Sequence, residues 1–300
     1  MEGKMQKDVE REKRTEKILC KLGYCDRSKN RGSSRLALID LDTGKSVICY
    51  ERLDDTSSIE SVKSYDNQNA LFSVGGRKIF SININSGKLD EVLSDEGYVK
   101  FTRPHKGYFA YATRGDLYLF NLKSQKKTLL ATSDKPIGCV TANSKNLIFT
   151  RVLDDSDGFS LGSGYEEEHN TRLELLIDLC LDGTLIRQLG NIKKVRKADV
   201  SSMAISDNGD LSLVLNRRYV SGSVDYSPKV PLRGDLDSQI RDIDYLNNFS
   251  LVIAGRFVKN TDWRECRTEY LVGLRVLDKK GEVIHEIKTD GMPNSISVVK

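Results

Sequence analysis

The feature that most restricts this chain is a strand–turn–strand unit that recurs along it. Leu36-Ala37-Leu38-Ile39-Asp40-Leu41-Asp42-Thr43-Gly44-Lys45 runs into Val47-Ile48-Cys49-Tyr50. The same order returns at Lys78 to Lys88 followed by Leu89 to Leu93, and at Asp116 to Lys126 followed by Thr128 to Ala131. Leu173 to Leu181, Asp182-Gly183-Thr184 and Leu185 to Leu189 make a fourth copy; Tyr270 to Leu277, Asp278 to Glu282 and Val283 to Ile287 make a fifth. The apolar residues alternate with polar ones and are mostly Val, Ile, Leu, Phe and Tyr, which is the chemistry of half-buried strands rather than helices. Each pair of runs is split by Gly or a polar equivalent, as a tight turn requires.

The turn positions are 44, 87, 125, 183 and 281. The last gap, 98 residues, is twice the others' scale, so one copy is degenerate, with its turn expected between about 222 and 235. Counted that way the period averages about 47 residues, the length of a four-stranded blade. The intervals hold two further strand-like runs each: Tyr98 to Thr102 and Tyr108 to Thr113, Ile137 to Thr141 and Leu147 to Leu153, Val200 to Ile205 and Leu211 to Tyr219, Ile240 to Tyr245 and Phe249 to Val258. The first run of each set is expected to be the innermost strand. The first blade has an outer hairpin at 35–51 and a candidate strand at Ile18 to Tyr24 but no clear innermost one, and Asn294 to Val299 offers a lone strand at the other end of the chain. Their pairing would close a ring and remove two exposed edges.

These runs resemble the blades of the β-propeller superfamily, of the WD40-like or TolB-like kind; residues 116–125 are similar to the third strand and turn of such a blade. The resemblance spans 35–299 at the level of pattern. The chain has no Trp-Asp dipeptide, its single Trp263 being followed by Arg264, and no Gly-His pair; Gly75-Gly76 occurs once, which does not support kelch repeats. The resemblance therefore implies architecture and carries no functional residue. An all-β propeller is expected, with six blades and with seven or five as alternatives. An open stack of meanders or two packed sandwiches fits the 47-residue spacing less well.

Composition divides the chain. The net charge is +4 over 300 residues, and residues 1–32 hold ten Lys/Arg against six Asp/Glu, leaving 37 of each sign in the remainder. Residues 1–32 read as a charged N-terminal arm, with opposite charges at i,i+4 between Lys7 and Lys17 able to support a short exposed helix, and residues 33–300 as the propeller. Six acids among ten bases make a poor nucleic-acid arm, so protein is the expected partner class, with the chain a monomer or a subunit of a larger complex. No apolar run approaches the roughly 20 residues of a membrane span, and Met1 to Asp8 does not lead into a signal-like apolar segment. The six cysteines are scattered without a Cys-x-x-Cys pair. That pattern suggests reduced thiols in an intracellular, cytoplasmic or nuclear, protein rather than a disulfide framework or a zinc site.

Two segments stand out as candidate contact sites. Lys193, Lys194, Arg196 and Lys197 form a basic run read as a connection between blades, without neighbouring aromatics to stack on bases. Residues 154–170 form an acidic, Gly-rich insertion between the second and third strands of a blade, with Asp154, Asp155, Asp157, Glu166, Glu167 and Glu168 as its charged members. Asp155-Ser156-Asp157 matches a calcium loop only in part. Insertions of this kind are frequent contact surfaces.

Catalytic constellations are sparse, and no cofactor is expected. His105, His169 and His285 fall on different blades. Gly158 to Gly162 has the letters of a nucleophile elbow without the strand–turn–helix that the mechanism needs. Gly44-Lys45-Ser46 lacks the glycine spacing of a phosphate-binding loop. The two Arg-Gly-Asp triplets, at 114–116 and 233–235, read as turns. The enzyme alternative is a metal-dependent hydrolase using Glu60, Asp199, Asp242 and Asp244 around a central channel, with Arg103 and Arg241 close enough to neutralise them. A degenerate propeller fragment without independent activity is the remaining alternative. The expected function is a non-catalytic protein-interaction scaffold.

Overall fold

A computed structural model describes residues 16–26, 31–52, 58–95, 97, 99–132, 137–143, 146–152, 171–180, 185–195, 200–215, 218–222, 239–262 and 267–299. Every regular element among them is a strand, and no helix is long and apolar enough to cross a membrane. The first sheet holds β1 (Lys17–Asp26), β2 (Arg31–Asp40) and β3 (Ser46–Arg52). The second is β4 (Ile59–Ser64), β5 (Asn69–Val74), β6 (Lys78–Asn83) and β7 (Leu89–Ser94). The third is β8 (Val99–Phe101), β9 (Tyr108–Thr113), β10 (Asp116–Asn121) and β11 (Lys127–Thr132). The fourth is β12 (Ile137–Ala142), β13 (Asn146–Val152), β14 (Thr171–Cys180) and β15 (Leu185–Val195). The fifth shows β16 (Val200–Ile205), β17 (Leu211–Leu215) and β18 (Arg218–Gly222); the sixth is β19 (Gln239–Asn247), β20 (Ser250–Asp262), β21 (Arg267–Asp278) and β22 (Val283–Lys288).

β23 (Met292–Val299) does not extend the sixth sheet. It pairs antiparallel with β1, giving the order β23-β1-β2-β3 and joining both chain ends in one sheet, as the sequence suggested. β1 lies within the segment read as an arm. Its ten residues pair in full with β2, and five of the segment's ten bases (Lys17, Lys21, Arg27, Lys29, Arg31) lie at or beyond its start. The first fifteen residues lie outside the described ones.

Strand alternation decides how the sheets pack. In β2, Ala37 and Ile39 face the sixth sheet and meet Val252, Ala254, Leu274 and Val276. Leu36, pointing the other way, meets Ile59, Val62, Ala70 and Phe72 of the second sheet. The same division places Leu71 and Ile79 against Phe101, Phe109 and Tyr111, then Ala110 and Leu117 against Val140, Leu147 and Phe149. Val214 and Ala204 of the fifth sheet pack on Ile240, Ile243 and Leu251 of the sixth. The core is thus a series of wedges between successive sheets. The first strands meet at the centre: β19 packs on β16 and β23, β23 on β4, and β12 on β8 and β16.

The outer hairpins share one local device. Asp40, Asn83, Asn121 and Asp278 end their strands, and the Oδ1 of each accepts backbone N–H groups of its own turn: Thr43, Ser86, Ser124 and Lys280, at 2.8–2.9 Å. This is the Asx-turn chemistry that favours Asp and Asn at such corners. In these four hairpins the residue that turns the chain back has positive φ: Gly44 (68°), Gly87 (70°), Gln125 (58°) and Gly281 (85°). Gln125 is the copy in which a side chain sits where glycine is unstrained.

Three sequence expectations change. Leu211 to Tyr219 is two strands, not one: β17 and β18 pair with Leu215 opposite Arg218, so the chain reverses between them. β15 runs on to Val195, because β14 is long enough to pair with it through three register shifts; Lys193 and Lys194 therefore belong to an outer strand rather than to a connection between blades. β20 and β21 extend to Asp262 and from Arg267, further than the alternating runs indicated. The degenerate turn expected at 222–235 lies, but for Gly222, outside the described residues.

Candidate functional site

β23 is the innermost strand of its sheet, so one of its edges faces the channel with backbone groups that β1 cannot satisfy. Those groups recur every second residue, and so do the side chains that meet them. Asp242 and Asp244, two apart on β19, accept the N–H groups of Ile296 (2.8 Å) and Val298 (2.7 Å) on their Oδ2 atoms. Towards the second sheet, Ser295 Oγ accepts from Val62 N (3.1 Å) and Ser297 Oγ from Ser64 N (2.8 Å), while Ser64 Oγ donates to the Val298 carbonyl (2.7 Å). Strand period two on each side sets the register of all three strands.

Each carboxylate takes further donors. Asp242 also accepts from the Ser295 hydroxyl (3.1 Å) and the Ser202 hydroxyl, and Asp244 from Tyr245 N (2.9 Å) and Arg103 Nη2 (2.6 Å). Arg103 Nη2 reaches the Ser297 hydroxyl (3.0 Å) and the Val298 carbonyl (2.9 Å) as well. Asp242 is buried, and its charge helps push the neighbouring Cys20 thiol's pKa upward, behind the larger effect of that thiol's own burial. Of the other proposed channel groups, Glu60 has a buried Oε2 without a hydrogen-bond partner among the described residues. It lies near Lys21, whose pKa is lowered chiefly by burial and raised in part by Glu60. Asp199 lies outside the described residues. Among the described residues no three His, Cys, Asp or Glu side chains converge in a metal-binding group.

Where the inner strands end, a cleft of about 290 Å³ opens, bounded by Lys63, Arg103, His105, Val140, Met203 and Asp207 among others. His105 is held on a tight reversal. It exchanges two backbone hydrogen bonds with Tyr108 (2.7 and 2.9 Å), with Lys106 and Gly107 at φ 47° and 82° between them. Its pKa is lowered by burial and by the Lys106 charge, with Asp207 opposing. Arg103 presents a second face here. Among the described residues its hydrogen bonds all run through Nη2, and Nη1 and Nε donate to nothing. Lys63 likewise has no acceptor among them.

The candidate contact residues do not gather at this cleft. Lys193 and Lys194 lie on β15, the outermost strand of the fourth sheet, whereas the cleft lies at the innermost strands. Arg196, Lys197, Asp154, Asp155, Asp157, Glu166, Glu167 and Glu168 lie outside the described residues. Sequence reasoning flagged Arg103 as a channel cation but missed Lys63 and the cleft position of His105. The available signal was the Arg103-Pro104-His105-Lys106-Gly107 run directly after an inner strand. His285 is on the outer strand β22 and exposed.

No protein-family model matches the chain, and the curated proteins contain no matching relative. Solved structures do match. Nidogen, in its complex with laminin, has a TM-score of 0.66 at 10% identity over 95% of this chain and 98% of its own. A Bacteroides caccae protein of unknown function has a TM-score of 0.60 at 17% identity, over 95% and 99%. TolB from Acinetobacter baumannii has 0.58 at 13%, over 95% of this chain and 66% of its own. Nidogen and TolB are similar to this chain as β-propellers. With its sheets packed in sequence around their first strands, the chain has an all-β, β-propeller fold.

Proposed function

We propose that this protein is a non-catalytic scaffold that binds a protein partner. The observation that carries the reading is the state of the channel carboxylates. Asp242 and Asp244 each accept three donors, half of them from the strand that joins the chain ends. Their lone pairs hold the fold together, which leaves them poorly suited to ligate a catalytic metal. What a β-propeller fold offers instead is loop-lined faces, and this chain is similar in fold to nidogen, whose structure was solved in complex with laminin.

Protein rather than nucleic acid is the partner class, because the chain beyond residue 32 is charge-neutral. The contact is assigned to the first 32 residues, the 154–170 insertion and the 193–197 run. Among the described residues Cys20 and Cys49 form no disulfide, which suits an intracellular, reducing compartment.

The test is affinity capture with the full chain and with variants lacking 154–170 or 1–15. Captured proteins are identified, and binding of each is then measured with purified components. A partner lost on either deletion supports the reading. Retention of every partner by both variants removes 154–170 and 1–15 as the contact. One-to-one uptake of a divalent metal with a raised melting temperature and hydrolytic turnover would replace the scaffold by the enzyme.

A further inference from the structure

We infer that the cleft at the exit of the inner strands is a receptor for an acidic side chain of a partner peptide, with Arg103 and Lys63 as the donors. This rests on the binding-scaffold reading and specifies a contact outside the arm, the insertion and the basic run.

The argument begins with the divided role of Arg103. Its Nη2 ties the exit of β8 to β19 and β23 through Asp244, Ser297 and Val298. That anchoring holds the guanidinium in the wall of the cleft, so engaging its remaining N–H groups on binding costs little further side-chain entropy. Nη1 and Nε both lack acceptors among the described residues, as does the Lys63 ammonium, and Arg103 and Lys63 both line the cleft. An ion-paired guanidinium with N–H groups to spare, beside an ammonium without an acceptor among the described residues, is chemistry that can recognise an anion in a concave site.

The surrounding charge selects the kind of anion. Lys63 and Arg103 face Asp207 and Asp244 in the same cleft, so the formal charge balances and a phosphate dianion would meet two carboxylates. A single carboxylate, bound by hydrogen bonds rather than by net field, fits better. Val140, Ala142 and Met203 supply an apolar wall for a neighbouring aliphatic residue. About 290 Å³ is at the lower end of small-molecule pockets, typically ~300–1,000 Å³, and suits one or two side chains.

The experiment titrates the full chain with acetyl-Leu-Glu-amide, its neutral isostere acetyl-Leu-Gln-amide and inorganic phosphate, read by NMR shifts and calorimetry. The Glu peptide is expected to bind saturably and the Gln peptide roughly tenfold more weakly, the loss of one charge-assisted contact. Lys63→Met is expected to weaken the Glu peptide by a similar factor while leaving the melting temperature of the free protein unchanged, since Lys63 takes no part in the strand seam. Equal binding of the two peptides, no effect of Lys63→Met, or no binding at all would overturn the inference. So would phosphate competing at equal concentration, which would make this an inorganic-anion site. A partner captured through the arm or the insertion despite a negative peptide result would keep the scaffold and remove only this site.

Discussion

Arg103 Nη2 lies 2.6 Å from Asp244 Oδ2, joining residues 141 positions apart in sequence, and Asp244 in turn accepts the amide of Val298. One ion pair therefore links the third sheet, the sixth sheet and the C-terminal strand of the first. The two side chains are 21% and 16% exposed, so neither charge has full access to water once its partner is gone.

Arg103→Ala is therefore expected to destabilise the protein by roughly 3 kcal/mol, the usual consequence of leaving one member of a largely buried pair alone. Asp244→Ala also strips an acceptor from Val298 N, and should loosen β23 specifically. Chemical denaturation measures the first effect. Hydrogen exchange at Ile296 and Val298, faster at Val298 in Asp244→Ala and at Ile296 in Asp242→Ala, checks the second.

Gly255 and Gly273 face each other across β20 and β21. A Cβ on Gly255 would run into the Gln239 carbonyl of β19, and one on Gly273 into the Ile287 carbonyl of β22. Both obstacles are backbone and cannot swing aside. Gly255→Ala and Gly273→Ala should each cost about 1–3 kcal/mol, as overpacking does. Gly107→Ala meets no atom within 4 Å but sits at φ 82°, so its smaller loss isolates backbone strain from crowding. Melting temperatures of the three variants give the comparison.

Gln125 holds positive φ where three other copies have glycine. Gln125→Gly is expected to raise stability by about 1 kcal/mol, the order of the left-handed penalty for a non-glycine residue, reduced by loss of the Nε2 hydrogen bond to the Leu122 carbonyl (3.0 Å). Gly87→Ala should shift stability the other way. Equilibrium unfolding in urea distinguishes the signs.

His105 has its pKa lowered from an ordinary value near 6.5 by burial and by Lys106. Between the folded and unfolded pKa values the unfolded chain binds more protons, so stability rises with pH through that window and is lost as pH falls below about 6.5. His105→Gln should flatten the dependence of stability on pH between neutral and mildly acidic conditions. Denaturation midpoints at pH 7.5 and pH 5.5 test this, with His285→Gln, at an exposed outer strand, as the control.

Much of the architecture was legible in residues 36–50, 78–93, 116–131 and 270–287, because the outer hairpin is a local structure. Alternating apolar residues, an Asp or Asn corner and a residue tolerant of positive φ all lie within about ten positions of one another. The lone run at Asn294 to Val299 was legible as a strand in search of a sheet. Less legible were strand lengths. Lys193 and Lys194 looked like a connection because four charges in five residues carry no strand pattern, and β14 recruits that backbone regardless of side chain.

The candidate site was the least readable part. Asp242 and Asp244 could be recognised as channel residues, but whether a channel carboxylate binds metal, meets a cation or caps a strand depends on which donors the fold brings to it. Lys63 carries no local mark of a cleft and His105 only its place just after an inner strand, since the walls come from five sheets. Periodicity and turn chemistry are properties of neighbours in sequence, and by themselves they determined strands, hairpins, repeat and closure partner. The convergence of Lys63, Arg103, His105, Asp207 and Asp244 is a property of neighbours in space, set by how apolar faces pack between sheets, and only the tertiary structure decided it.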